Sequence, residues 1–92
     1  MIQSFRDSET HLFFLDKKIP RLKSVERVAM RKLIQLNNAA KLDDLAVPPG
    51  NRLEALKGNL KGYHSIRINQ KLRIIFRWTD HGPNDVAILN YH

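Results

Sequence analysis

Ninety-two residues make one domain, 1–92, and leave no room for a second. Hydrophobic residues are 42% of the chain and charged ones 27%, a globular balance that excludes a disordered tail or a coiled-coil rod. The absence of cysteine excludes a disulfide scaffold, a thiolate metal site and a thiol nucleophile. The first residues lack the apolar stretch of a secretory signal, and no apolar run approaches the roughly 20 residues that span a bilayer. The expectation is a soluble, cytoplasmic protein without membrane contact.

Sixteen Lys and Arg against nine Asp and Glu give a net charge of +7. Residues 51–92 carry seven basic and three acidic side chains. No acid lies between Ala55 and Thr79, whereas Lys57, Lys61, Arg67, Lys71, Arg73 and Arg77 all do. Such a block suits a nucleic acid or an acidic protein, or is simply a solvated basic face.

In chain order, Ile2 to Arg6 alternate apolar and polar and predict a short strand. Asp7 or Ser8 caps a first helix, stapled from outside by Phe5, which carries Leu12, Phe13, Phe14, Leu15 and Ile19 until Pro20 stops it. Ser24 caps a second helix whose Val25, Val28, Ala29, Leu33 and Leu36 share one face. A further turn follows around Leu42 to Leu45. Pro48-Pro49-Gly50-Asn51 reads as a type II turn with Gly50 at the third position. Thereafter the period becomes 2. Strands are predicted over 52–56, 64–68, 72–78 and 86–91, with a loop over 79–84. Short connections favour an antiparallel meander. The predicted fold class is α+β, with an N-terminal strand and two helices packed on an antiparallel sheet.

The second and third of these strands fix their own register. Matching apolar faces pairs Ile66 with Ile74 and Ile68 with Leu72, leaving the loop Asn69-Gln70-Lys71. Arg67 then lies directly opposite Arg73. Opposed like charges destabilise a sheet, and with no acid between 55 and 79 the pair reads as an anion site, its guanidinium forks suited to phosphate. Pairing Ile88 with Phe76 would place Tyr91 opposite Arg73, where a phenol can donate a hydrogen bond, stack or exchange a proton. His92 adds an imidazole that titrates near neutrality. His64 points to the core side, a structural position. No His, Asp or Glu spacing suits a metal, and no glycine-rich phosphate loop occurs, so no cofactor is expected.

The runs Gly50-Asn51-Arg52-Leu53-Glu54-Ala55-Leu56-Lys57-Gly58, Gly62-Tyr63-His64-Ser65-Ile66-Arg67-Ile68-Asn69 and Leu72-Arg73-Ile74-Ile75-Phe76-Arg77-Trp78, with the closing Asn90-Tyr91-His92, resemble the HigB toxins of the RelE-like superfamily. Ile2-Gln3-Ser4-Phe5 also fits, so the likeness spans nearly the whole chain. It implies a microbial-ribonuclease-like fold and a ribosome-dependent endoribonuclease that cuts mRNA in the A site without metal, by attack of the RNA 2′-OH on the adjacent phosphate. It further implies a HigA-like helix-turn-helix antitoxin as partner, with DNA binding only through that complex. In this reading Arg67 and Arg73 handle the phosphate, and Lys57 supports the phosphate or protonates the leaving group. Tyr91 and His92 transfer protons or orient substrate. Lys61, Asn69, Lys71 and Arg77 hold RNA. Glu54 stands where some relatives carry histidine, and Asn90 where some carry aspartate, so the resemblance leaves the general base open. The rival reading is a basic sheet that inhibits by occupying RNA, the ribosome or a protein, with no bond cleaved.

Overall fold

The computed structural model describes residues 1–90. Asp7 caps the first helix, α1 (Ser8–Phe14), by accepting the Thr10 N–H at 2.7 Å. Phe5 stacks on His11 with ring centroids 4.7 Å apart and packs against Phe14, the expected staple. The helix stops five residues before Ile19. Asp16 adopts a left-handed φ of 68°, its N–H bonds to Phe13 O, and Lys17 N–H bonds to Leu12 O. That paired closure is usually made with glycine, which is why the sequence reading missed it.

Pro20 opens a 3₁₀ helix, Pro20–Val25, that seats Leu22 in the core. The second α-helix, α2 (Glu26–Asn38), follows without a side-chain cap, so Ser24 does not serve as one. It buries Ala29, Leu33 and Leu36 on the predicted face. A 3₁₀ turn over Leu42–Ala46 delivers Leu45 to the core. The predicted type II turn is instead a second 3₁₀ turn, Pro49–Asn51, after a cis Val47–Pro48 bond. The left-handed residue there is Arg52, not Gly50. Asn51 is buried, and its Nδ2 donates to Leu45 O and Gln35 Oε1.

The sheet has the strand order β1-β2-β3-β4, every pair antiparallel, with β1 (Glu54–Ala55), β2 (His64–Arg67), β3 (Leu72–Thr79) and β4 (Gly82–Asn90). Strand β1 is shorter than predicted. Strand β4 is longer, because the expected 79–84 loop tightens to a turn at Asp80-His81 and Gly82 pairs with Thr79. One face of the sheet packs on the helices through Ile66, Ile74, Phe76, Val86 and Ile88, together with Phe13, Leu22, Leu33 and Leu36. His64 stacks on Phe76 on this inner side, as expected.

The outer edge of β4 is closed by the N-terminal segment, which runs parallel to it with a bridge between Phe5 and Val86. Backbone bonds join Gln3 to Pro83, Arg6 to Val86, and Val86 to Ser4. Further along, Thr10 Oγ1 accepts Ile88 N–H at 3.0 Å and Arg21 Nη2 donates to Ile88 O. The outward backbone groups of Pro83, Val86 and Ile88, which would otherwise stand bare on this sheet edge, thus have partners.

The candidate anion site on the outer face

The predicted hairpin register holds: Ile66 faces Ile74 and Arg67 faces Arg73. The β4 register does not. Ile88 pairs with Ile74 rather than Phe76, and Leu89 is the residue opposite Arg73. A bulge between the Ile75 and Arg77 positions shifts the ladder, and Asp85 sits beside it at a φ of 51°. The predicted placement of Tyr91 opposite Arg73 therefore falls. Tyr91 and His92 themselves lie outside the described residues.

The middle of the outer face carries a second buried cluster, Leu56, Ile75 and Ala87, flanked by Leu60, Tyr63 and Leu89. One further expectation about this face is corrected. The arginine pair has a carboxylate. Strand β1 adds itself beside β2 with Glu54 opposite Ser65. From there Glu54 Oε1 meets Arg73 Nη1 at 2.6 Å, and the same nitrogen donates to the fully buried Ser65 Oγ at 3.0 Å. Arg73 is only 11% exposed and is fixed by Ser65 on the adjoining β2 and by Glu54 one strand further on, in β1, whereas Glu54 remains 45% exposed. The charge count missed this acid because it stands one residue outside the acid-free block.

Arg67, half-buried, turns its Nε back onto Asn69 O at 3.1 Å. Asn69 itself closes the hairpin: its Oδ1 accepts the N–H groups of Lys71 and Leu72 at 2.8 and 2.7 Å. That side-chain oxygen is engaged by the turn, a structural role that the sequence reading did not assign to Asn69. Lys71 stands exposed at the same tip. Beneath it, a hollow of about 210 Å³ is lined by Arg21, Ser24, Asn69, Lys71, Leu72 and Asn90.

From the helical layer, Lys32 reaches under the sheet and donates its Nζ to Arg67 O. From its charge Lys32 reads as a surface residue, yet it is 9% exposed. Burial, and then the nearby Arg31 and Arg67 charges, push its pKa below the ordinary lysine value.

Lys57 and Glu54 line a common hollow of about 280 Å³ with Ala55, Leu56 and Leu60. Lys57 therefore flanks the carboxylate that holds Arg73. Lys61 is exposed at the end of the following 3₁₀ turn, Gly58–Leu60. Arg77 lies on the same outer face, over the Tyr63 ring. The structure thus gathers Arg67, Arg73, Glu54 and Lys57 at one end of the face. Arg77 stands towards the other end, and Lys71 with Asn69 at the hairpin tip.

An antiparallel sheet with helices on one side is also the fold of solved toxin structures. The structure superimposes on Staphylococcus aureus YoeB from a YoeB–YefM complex with a TM-score of 0.62 and 20% identity, covering 100% of this chain and 98% of that one. The S. aureus YoeB dimer matches at the same TM-score and 21% identity, covering 99% and 94%. Toxin HigB-1 of Vibrio cholerae is 46% identical over 82 residues, 87% of this chain and 86% of the relative. An uncharacterised Haemophilus influenzae protein is 30% identical over 90 residues, 94% of this chain and 87% of that protein. Residues 3–92 match the model of the HigB-like toxins, the RelE-like toxins of type II toxin–antitoxin systems, and the chain belongs to that family. No helix among the described residues is long and apolar enough to cross a membrane.

Proposed function

We propose that this toxin is a ribosome-dependent mRNA endoribonuclease acting by metal-free transesterification. The observation that carries the reading is the Arg67–Arg73 pair, with Arg73 immobilised by Glu54 and Ser65. The RNA 2′-OH attacks the adjacent phosphorus, the bond to the 5′-oxygen breaks, and the products carry a 2′,3′-cyclic phosphate and a 5′-hydroxyl. Arg67 and Arg73 stabilise the charge that builds on the phosphorane-like transition state. Preorganisation matters here, because a guanidinium already held in place does not have to be ordered as the reaction proceeds.

Glu54 is the carboxylate of this cluster, and Arg73 orients it through Oε1. In the proposed mechanism it accepts the 2′-OH proton, as a base must lie within hydrogen-bond reach of the proton it takes. Lys57, Tyr91 and His92 supply protonation of the leaving oxygen and orientation of the substrate. Lys61, Lys71 and Arg77 hold RNA backbone, and the ribosome presents the mRNA. The toxin acts in the cytoplasm, as one domain, and is neutralised by a HigA-like helix-turn-helix antitoxin. Any DNA binding belongs to that complex. The YefM-bound form of YoeB supports an antitoxin partner.

The test is single-turnover reaction of the purified toxin, stripped of metal by chelator and then desalted, with mRNA-programmed ribosomes. Cleavage with 5′-hydroxyl ends is expected, together with a loss of about 10²–10³ in rate for Arg73→Ala. Stalled ribosomes carrying intact mRNA would refute cleavage and leave inhibition by occupancy.

A further inference from the structure

A second cationic station stands on the outer face, away from the Arg67–Arg73 pair. Tyr63 precedes β2 after a turn in which Gly62 takes a φ of 95°, and its N–H bonds to Leu60 O. The ring packs on the Leu56–Ile75–Ala87 cluster. Two guanidinium groups converge on it: Arg77 from β3 and Arg6 from the segment along β4, each with Cζ 5.5 Å from the ring centroid. Among the described residues, the ion pairs use Glu9, Glu26 and Glu54, and none involves Arg6 or Arg77.

A single cation over a ring is ordinary packing. Two guanidinium groups held against one ring, drawn from distant parts of the chain and with no ion pair among the described residues, concentrate positive charge that a polyanion relieves. The Tyr63 ring limits the orientations of both planar forks, which suits them to phosphate oxygens. Arg77 is four residues along β3 from Arg73, about 13 Å at the usual strand rise. One phosphate cannot bridge that span, whereas a polynucleotide can.

We propose that Arg6, Tyr63 and Arg77 form a phosphate clamp that grips RNA backbone independently of sequence, at a distance from the reacting phosphate. This rests on the RNA-directed reading of the face. The clamp contributes affinity and alignment and no chemistry. No pattern along the chain pairs Arg6, in the first strand-like segment, with Arg77.

The probe is a 2′-O-methyl RNA oligonucleotide, which lacks the attacking hydroxyl, titrated by fluorescence anisotropy over a range of NaCl concentrations. Arg6→Gln and Arg77→Gln should each flatten the log–log salt slope by about 0.7, and the double variant by about 1.4. Tyr63→Phe keeps the ring and should match wild type. Tyr63→Leu should weaken binding although both arginines remain. Melting curves check folding; the Arg6 backbone bond to Val86 does not depend on its side chain. An unchanged slope in the double variant, or wild-type binding by Tyr63→Leu, overturns the clamp. So does a double variant that binds RNA normally but loses an acidic protein partner. If wild type leaves mRNA intact on ribosomes while the slopes fall as expected, the clamp stands and the endoribonuclease reading fails.

Discussion

Replacing Arg73 with alanine tests the packing of the anion site separately from its chemistry. From sequence, removing one of two opposed arginines should relieve repulsion and leave the fold intact or slightly firmer. The structure reverses that sign. Ser65 is fully buried, and its hydroxyl is paired with Arg73 Nη1. Leaving a buried hydroxyl unpaired costs about 1–3 kcal/mol. Glu54 is 45% exposed and resolvates readily, so losing its ion pair adds at most about 1 kcal/mol. Relief of the Arg67 charge returns about 0.2–1 kcal/mol. The net is a destabilisation of about 1–3 kcal/mol, at roughly 4–8 °C of Tm per kcal/mol for a domain of this size. Calorimetric melting of wild type, Arg73→Ala, Ser65→Ala and the double variant measures it. The double variant should recover part of the loss, because the hydroxyl that Arg73→Ala strands is no longer there. An Arg73→Ala protein that melts at or above wild type would show that repulsion dominates, and would refute the idea that Glu54 and Ser65 hold the site together.

Further perturbations follow from other contacts. The lowered pKa of Lys32 means that, between its folded value and the ordinary 10.5, the unfolded chain holds more protons, so stability rises with pH across that window. Urea melts of wild type and Lys32→Met from neutral to alkaline pH should show this increment in wild type and lose it in the variant; parallel pH profiles would contradict it. Gly82→Ala should cost at least about 1–3 kcal/mol, because φ is 121° and a Cβ would come 2.5 Å from Met1 O. Gly58→Ala, at a φ of 64° in open space, should cost about 1 kcal/mol; equal losses at the two glycines would refute the crowding argument. Lys61→Ala should weaken association with programmed ribosomes, seen by pelleting, while the cleavage rate on saturated ribosomes is spared.

The β2–β3 hairpin was legible from sequence because both strands alternate cleanly, and only one register matches their apolar sets. The same reasoning misplaced β4 by two residues. Alternation is satisfied equally well by registers two residues apart, and the tight Asp80-His81 turn that selects the observed one was read as a longer loop. The Glu54–Arg73 contact was hidden because pairing across a sheet ignores distance along the chain. Lys32 was read as surface from its charge, whereas its stem lies along the core and its amine finds the end of β2. The length of α1 was overestimated since an aspartate, not a glycine, ends it.

The closure of the β4 edge has a consequence for the order in which the molecule is made. Ser4 Oγ takes the N–H of Asp85, 81 residues away, and Phe5 bridges Val86. With only residues 1–80 outside the ribosome, both α-helices and the first three strands are available, yet the N-terminal segment still has no strand to lie against. Ile74 and Phe76 also lack the Val86 and Ile88 side chains that complete their cluster. Such distant pairings are slow to form and cannot precede the last strand. The nascent toxin therefore leaves its own ribosome unfinished and completes its fold only after β4 emerges. That delay gives a co-translationally arriving partner an interval in which to meet an incomplete sheet.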